Sequence, residues 1–262
     1  MDLGLRDRAA LVTGGSRGIG RGIAEAFARE GAQTVIASTS EKNLETAAEA
    51  IAKAGGPRPV TAALDLRKLS DCEKLYSLVR KGLGRCDILI NNAGATKAGN
   101  FLELSDESWM DGFALKFFGC VRLSRLFWPM LKDAQGHVVN IGGGAARTPS
   151  ADFLMGGSCN AAMANFTKGL SRLGMKDGVN VNIIHPGLTA TDRVQDLFAQ
   201  RATAAGKTVN EISAQALARD GIKRMAEPAD IAELTLFLCS EKGQHIQGAA
   251  IPVDGGSQPG YY

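Results

Sequence analysis

Short apolar runs alternate along the chain with segments whose apolar residues recur at helical spacing. The runs at 9–12, 33–37, 60–64, 88–90, 137–141, 179–184 and 249–253 read as strands. The segments at 19–30, 41–54, 68–81, 105–131, 161–173 and 228–240 read as helices. The second of these helices is ended by Gly55-Gly56-Pro57, and the last opens on Pro228. Asp106 and Glu107 fall in the first turn of the long 105–131 helix, where the helix dipole favours acid. Strands this apolar are expected to be buried on both faces. That implies an α/β fold: a doubly wound parallel sheet of about seven strands with helices on either side. The polar, alanine-rich segment 192–221 follows the sixth strand and reads as a helical substrate lid.

Composition narrows the setting. The chain has 262 residues, of which 45% are hydrophobic and 22% charged, so one domain spanning 1–262 can bury a sizeable core. The formal net charge of +3 is small and its basic residues are scattered, which argues against nucleic acid as a partner. No apolar run approaches the length of a membrane helix, and the first residues lack a signal-peptide core. The five cysteines are odd in number and form no metal-type spacing, which suits a reducing, cytoplasmic setting without a metal site.

The chemistry begins at Thr13-Gly14-Gly15-Ser16-Arg17-Gly18-Ile19-Gly20, between the first strand and first helix. Glycines there let the backbone turn tightly and approach a phosphate, and the helix behind offers free N–H groups. Read alone this is a tight turn; with a strand before and a helix after, it reads as a dinucleotide site.

Further motifs follow in order: Asp65, Asn91-Asn92-Ala93-Gly94, Pro186-Gly187-Leu188-Thr189-Ala190-Thr191 and Val253-Asp254-Gly255-Gly256. Together with the glycine loop they resemble the short-chain dehydrogenase/reductase superfamily, and its ketoacyl–carrier-protein reductase-like members in particular, over nearly the whole chain. The resemblance implies a Rossmann-like domain and a nicotinamide cofactor. It places Gly14, Ser16, Arg17, Gly18, Ile19 and Gly20 on the pyrophosphate, Asp65 and Leu66 beside the adenine, and Asn92, Ala93 and Gly94 along the adenosine ribose. Pro186, Gly187, Leu188 and Thr191 would hold the nicotinamide carboxamide. It also implies a homo-oligomer, dimer or tetramer, paired through the two long helices, with Leu115, Phe118, Leu126, Ala162, Phe166 and Leu170 as candidate seam residues.

The position after the second strand decides which nicotinamide. An acid there would bond the ribose 2′-hydroxyl of NAD. Here it reads Ala37-Ser38-Thr39-Ser40, with no acid until Glu41. Ser38 and Thr39 tolerate a 2′-phosphate and Arg17 is placed to pair with it, so NADP is expected over NAD.

The proton-delivering residues depart from the family pattern. That pattern uses a tyrosine, a lysine four residues later, a serine upstream and an asparagine on the long helix. Alignment on Asn160-Ala161-Ala162-Met163 puts Gly156 at the tyrosine, Asn160 at the lysine, Gly143 at the serine and Lys116 at the asparagine. The tyrosines are Tyr76, Tyr261 and Tyr262, so a shifted register supplies none. Lys116 lies in Phe113-Ala114-Leu115-Lys116-Phe117-Phe118 with no carboxylate three or four residues away. It either snorkels to water or faces the cleft as a cation and proton donor. Asn160 could bond the ribose through its amide. Ser158 reads as a helix-start residue, Cys159 as packing, and His185 as a structural histidine; Tyr261-Tyr262 could reach a neighbouring subunit. Two functions remain open. One is an NADP-dependent oxidoreductase for a small-molecule carbonyl or hydroxyl substrate with a rearranged relay. The other is an NADP-binding sensor or partner subunit without turnover.

Overall fold

The computed structural model describes residues 2–259. Seven parallel strands form one sheet: β1 Ala9–Thr13, β2 Gln33–Ser38, β3 Val60–Ala63, β4 Ile88–Asn91, β5 His137–Ile141, β6 Asn180–Pro186 and β7 Ala250–Val253. Their spatial order is β3-β2-β1-β4-β5-β6-β7. The winding therefore reverses between β1 and β4, and a doubly wound sheet opens its ligand crevice at the carboxyl ends of those strands.

The helices are α1 Gly18–Arg29, α2 Glu41–Lys53, α3 Leu69–Gly82, α4 Asp106–Phe113, α5 Gly119–Asp133, α6 Leu154–Asp177, α7 Asp192–Ala205, α8 Val209–Asp220 and α9 Pro228–Leu238. β1 shows how they clothe both faces. Ala10 and Val12 enter the core with Ile23 and Phe27 of α1 and Leu236 of α9. Leu11 points the other way, with Leu75 of α3 and Phe127 of α5. The period-two alternation of a strand thus feeds two separate cores.

Burial on both faces holds for β1, β4 and β5, whose residues are all buried. It fails for β3, where Val60 is 40% exposed, because β3 is an edge strand. The long helix expected over 105–131 is not continuous. Between α4 and α5, residues Ala114–Phe118 form a π-helical turn, closed by a bond from Gly119 N to Ala114 O. The helix after β5 starts earlier than its apolar period suggested, at Leu154, which puts Ser158 in its second turn rather than at its start. The segment after β6 is two helices, each ended by a left-handed glycine, Gly206 or Gly221. They share a small core of Phe198, Ala202, Ile212 and Ala216.

A buried polar chain locks the catalytic-side elements together. Asn91 Nδ2 donates to Asn140 Oδ1 (2.9 Å), Asn140 Nδ2 to Thr167 Oγ1 (2.8 Å), and Thr167 Oγ1 to Met163 O (2.7 Å). β4, β5 and α6 are therefore linked by a continuous run of buried hydrogen bonds. Tyr76 packs edge-on against Phe127 in the core, and Tyr261 and Tyr262 lie outside the described residues.

Candidate functional site

A cleft of about 590 Å³ runs across the carboxyl ends of the strands. Its floor begins at the glycine loop. Gly14 has φ +66° and Gly18 φ +55°, conformations that favour glycine. A Cβ on Gly14 would come within 2.8 Å of Asn92 Nδ2, so the loop after β1 needs glycine to lie against the loop after β4. Thr13 joins the two loops. Its Oγ1 accepts from Asn92 N (2.9 Å) and Ala93 N (3.0 Å) and donates to Ile90 O (3.1 Å). Asn92 Nδ2 donates back to Thr13 O (2.9 Å). Helix α1 starts behind this loop with no side-chain cap and no acid in its first turn. Its leading N–H groups and positive dipole end suit an anionic group such as a pyrophosphate.

Gly14, Ser16, Arg17, Gly18 and Ile19 all line the cleft. Gly20 supports them from below, where a Cβ would overlap Gly14 O and Asn92 Nδ2. Ser38, Thr39, Asn92, Ala93, Gly94 and Thr191 also line it, as does Leu66. Ser40, the last of the hydroxyl run after β2, and Asn43, not singled out from sequence, complete the polar rim of this end with Arg17. The acid on the cleft wall among the described residues is Asp192, which also borders an adjoining cavity with Ser16, Arg17 and Gly18.

Four expected residues are placed elsewhere. Asp65 lies between the lining residues Leu64 and Leu66, but its Oδ1 accepts from Arg67 N (3.2 Å) and Nε (2.8 Å), and that guanidinium holds its carboxyl below the usual range. Pro186 ends β6 and Gly187 and Leu188 follow it; all three are half-buried and not on this lining. Gly187 packs against Asp254, where a Cβ would stand 2.7 Å from its Cα, and Leu188 packs onto the α7–α8 core.

The substrate end departs from the family pattern in three contacts. Gly156, on the buried face of α6, lies under the ring of Phe153; a Cβ there would overlap the ring. The space beside the position aligned with the family's tyrosine is filled by a phenyl group three residues earlier. Asn160 is 2% exposed and does not line the cleft. A Cβ on Gly143 would stand 2.7 Å from Asn160 Nδ2, so Gly143 admits the amide where a larger residue would exclude it. Asn160 Oδ1 is buried with no hydrogen-bond partner among the described residues. His185 is buried, and its Nδ1 lies 3.0–3.1 Å from Gly143 O and N. Burial above all brings its pKa down to about 4, so it stays neutral and structural at ordinary pH. Cys159 is fully buried, and burial pushes its thiol up to about 11.

Lys116 faces the cleft from the π-helical turn, a local widening common at functional sites. Its aliphatic stem lies on Gly94, where a Cβ would come within 3.1 Å. Its Nζ donates to Gly142 O at 3.4 Å, the one hydrogen bond it makes to the described residues. Burial, reinforced by the Arg193 charge and opposed by Cys159, brings the ammonium down to about 8. Leu115, expected on an intersubunit seam, lines the cleft beside it, while Phe118 remains 44% exposed. Arg193, the second residue of α7, also lines the cleft and was not anticipated. Its Nη2 reaches across to donate to Thr96 O, 2.9 Å away on the loop after β4.

The sequence profile of the family described as short chain dehydrogenase matches residues 8–202. An uncharacterised oxidoreductase of Mycobacterium tuberculosis is 32% identical over 254 residues, covering 96% of this chain and 92% of that protein. A 3-oxoacyl-acyl-carrier-protein reductase of Haemophilus influenzae is 31% identical over 253 residues, covering 96% of this chain and 98% of the relative. Among solved structures, L-sorbose reductase of Gluconobacter frateurii complexed with NADPH and L-sorbose superposes with a TM-score of 0.95 at 31% identity, over 100% of both chains.

Proposed function

Given that the chain belongs to the short-chain dehydrogenase family, we propose that it transfers hydride between NADP(H) and a small carbonyl or hydroxyl compound, with Lys116 as the proton relay. The observation that carries this reading is Lys116 itself, a cleft-facing ammonium brought down to about 8 with no carboxylate among the groups acting on it.

NADP is favoured over NAD by the adenosine end of the cleft. Arg17, Ser38, Thr39, Ser40 and Asn43 line it, and Glu41, the first acid after β2, is not among the lining residues. A guanidinium and hydroxyls recognise a 2′-phosphate that a carboxylate would repel. The superposed sorbose reductase is complexed with NADPH. The nicotinamide, when bound, supplies or accepts the hydride.

The chain's own contribution is orientation and a proton. The glycine loop and the α1 N-terminus hold the pyrophosphate, and Thr13 fixes the loop that carries Asn92 and Ala93. Lys116 Nζ, held by Gly142 O, gives its proton to the carbonyl oxygen as hydride reaches the carbon, and recovers it from solvent through the cleft. Gly156 and Gly143 leave no hydroxyl to share that task. Asn160, buried behind Gly143, packs closely against that turn. Helices α7 and α8 act as the substrate lid over a single domain.

A second reading, an NADP-binding sensor or partner subunit without turnover, draws on the Phe153 ring packed over Gly156. One experiment separates them: NADPH oxidation against a panel of aldehydes, ketones, oxo acids and quinones, with K116M beside the wild type. Turnover that K116M abolishes supports the enzyme. Tight NADPH binding with no turnover on the whole panel supports the sensor.

A further inference from the structure

Lys116 and Arg193 converge on one end of the cleft from opposite walls. Lys116 comes from the π-helical turn between α4 and α5, and Arg193 from the first turn of α7. Each is anchored by a neutral backbone carbonyl, Lys116 on Gly142 O and Arg193 on Thr96 O. Neither forms a salt bridge with a carboxylate among the described residues. Arg67, by contrast, pairs with Asp65 and Asp111. Asp192 lies on the same wall, yet it borders the cavity beside Ser16, Arg17 and Gly18, at the phosphate end.

Two like charges sharing a cleft raise each other's free energy, and a carbonyl oxygen offsets only part of that cost. An anion between them removes it. A guanidinium also presents two parallel donors, and only one of the Arg193 Nη groups is engaged with Thr96. We propose that this end of the cleft recognises a substrate carrying a carboxylate, with Arg193 as the residue that selects it. This rests on the oxidoreductase reading above.

The chemistry is consistent with an oxo acid. Arg193 takes the carboxylate, and the neighbouring carbonyl oxygen falls to Lys116. Hydride adds to the carbonyl carbon, the C=O π pair takes the proton from the Lys116 ammonium, and the products are a hydroxy acid, oxidised coenzyme and a neutral amine. A carboxylate beside the carbonyl fixes the substrate by charge, so binding does not depend on the tyrosine and serine hydroxyls that the family pattern would supply. Arg193 also ties α7 to the loop after β4, so an anion that captures its guanidinium would draw the α7–α8 segment over the substrate.

The test is calorimetric and needs no turnover. Protein saturated with NADP+ is titrated with pyruvate, acetoacetate and phenylpyruvate, and with the methyl ester of each. At least one acid is expected to bind about tenfold or more tighter than its ester. R193Q is expected to remove that preference and R193K to keep most of it, while NADP+ binds all three proteins within about twofold. Equal binding of every acid and its ester overturns the inference. So does an R193Q protein that loses NADP+ affinity instead, because the arginine then serves the coenzyme phosphates. A wild-type protein that fails to bind NADP+ at all defeats the oxidoreductase reading, and this inference falls with it.

Discussion

The ring of Phe153 lies over the α-carbon of Gly156, in the space where a side chain at that position would begin. The family pattern places its tyrosine there. A larger residue at position 156 would therefore have to displace that ring.

G156Y is expected to destabilise the protein by about 1–3 kcal/mol, as overpacking of a filled site does, and to bring no gain in NADPH turnover. Adding F153A to G156Y should recover most of that loss by opening the slot. Thermal melts of the three variants check it. A G156Y protein as stable as wild type would show that Phe153 swings aside freely.

Arg17 lines the cleft with Ser38, Thr39 and Ser40, whose hydroxyls could accept a 2′-phosphate. R17A is expected to weaken NADPH by roughly tenfold and to leave NADH nearly unchanged, the loss of one charge-assisted contact to a phosphate. Fluorescence titration of both coenzymes measures it, and equal losses would remove the argument for the 2′-phosphate.

Lys116 also leaves a mark on stability. Its folded pKa of about 8 lies below the ordinary lysine value of 10.5, because burial disfavours the charge. The unfolded chain therefore binds more protons than the native one between those values, and stability rises with pH across that window. Below pH 8 the cost is fully present. K116M keeps the stem's packing and removes the charge, so its melting temperature at pH 7 should equal or exceed wild type, and its rise toward pH 10 should be smaller. A large fall in melting temperature at pH 7 would mean that the ammonium is stabilising.

Thr13 is expected to couple the two coenzyme loops. T13V leaves the N–H groups of Asn92 and Ala93 without their acceptor, which should cost about 1–3 kcal/mol of stability. It should also weaken NADPH binding though Thr13 does not line the cleft. Melts and coenzyme titration together check this. Unchanged affinity would show that the loops are held by other contacts.

The sheet was legible because β1 and β4 open on unbroken apolar runs, Ala9 to Val12 and Ile88 to Ile90, as a strand buried on both faces requires. The coenzyme half was legible because Gly14 and Gly18 sit at positive φ, where sequence and backbone constrain each other tightly. The π-helical turn was not, since the Gly119-to-Ala114 register depends on how Phe117 and Lys116 pack and not on their period. The Phe153–Gly156 contact had one signal available: their three-residue spacing, which puts neighbours on one helix face. Arg193 went unseen because its partner is a backbone carbonyl on a distant loop, Thr96 O, and no side-chain pattern announces that.

The central claim, that Lys116 delivers the proton, is tested most directly by the pH dependence of single-turnover NADPH oxidation in wild type and K116M. The account predicts a rate that is flat at lower pH and falls as pH rises through about 8, as the ammonium is lost. K116M should be slower by roughly a hundredfold or more, the usual contribution of a general acid, and should lack that limb. A K116M protein that keeps both the rate and the limb would contradict it.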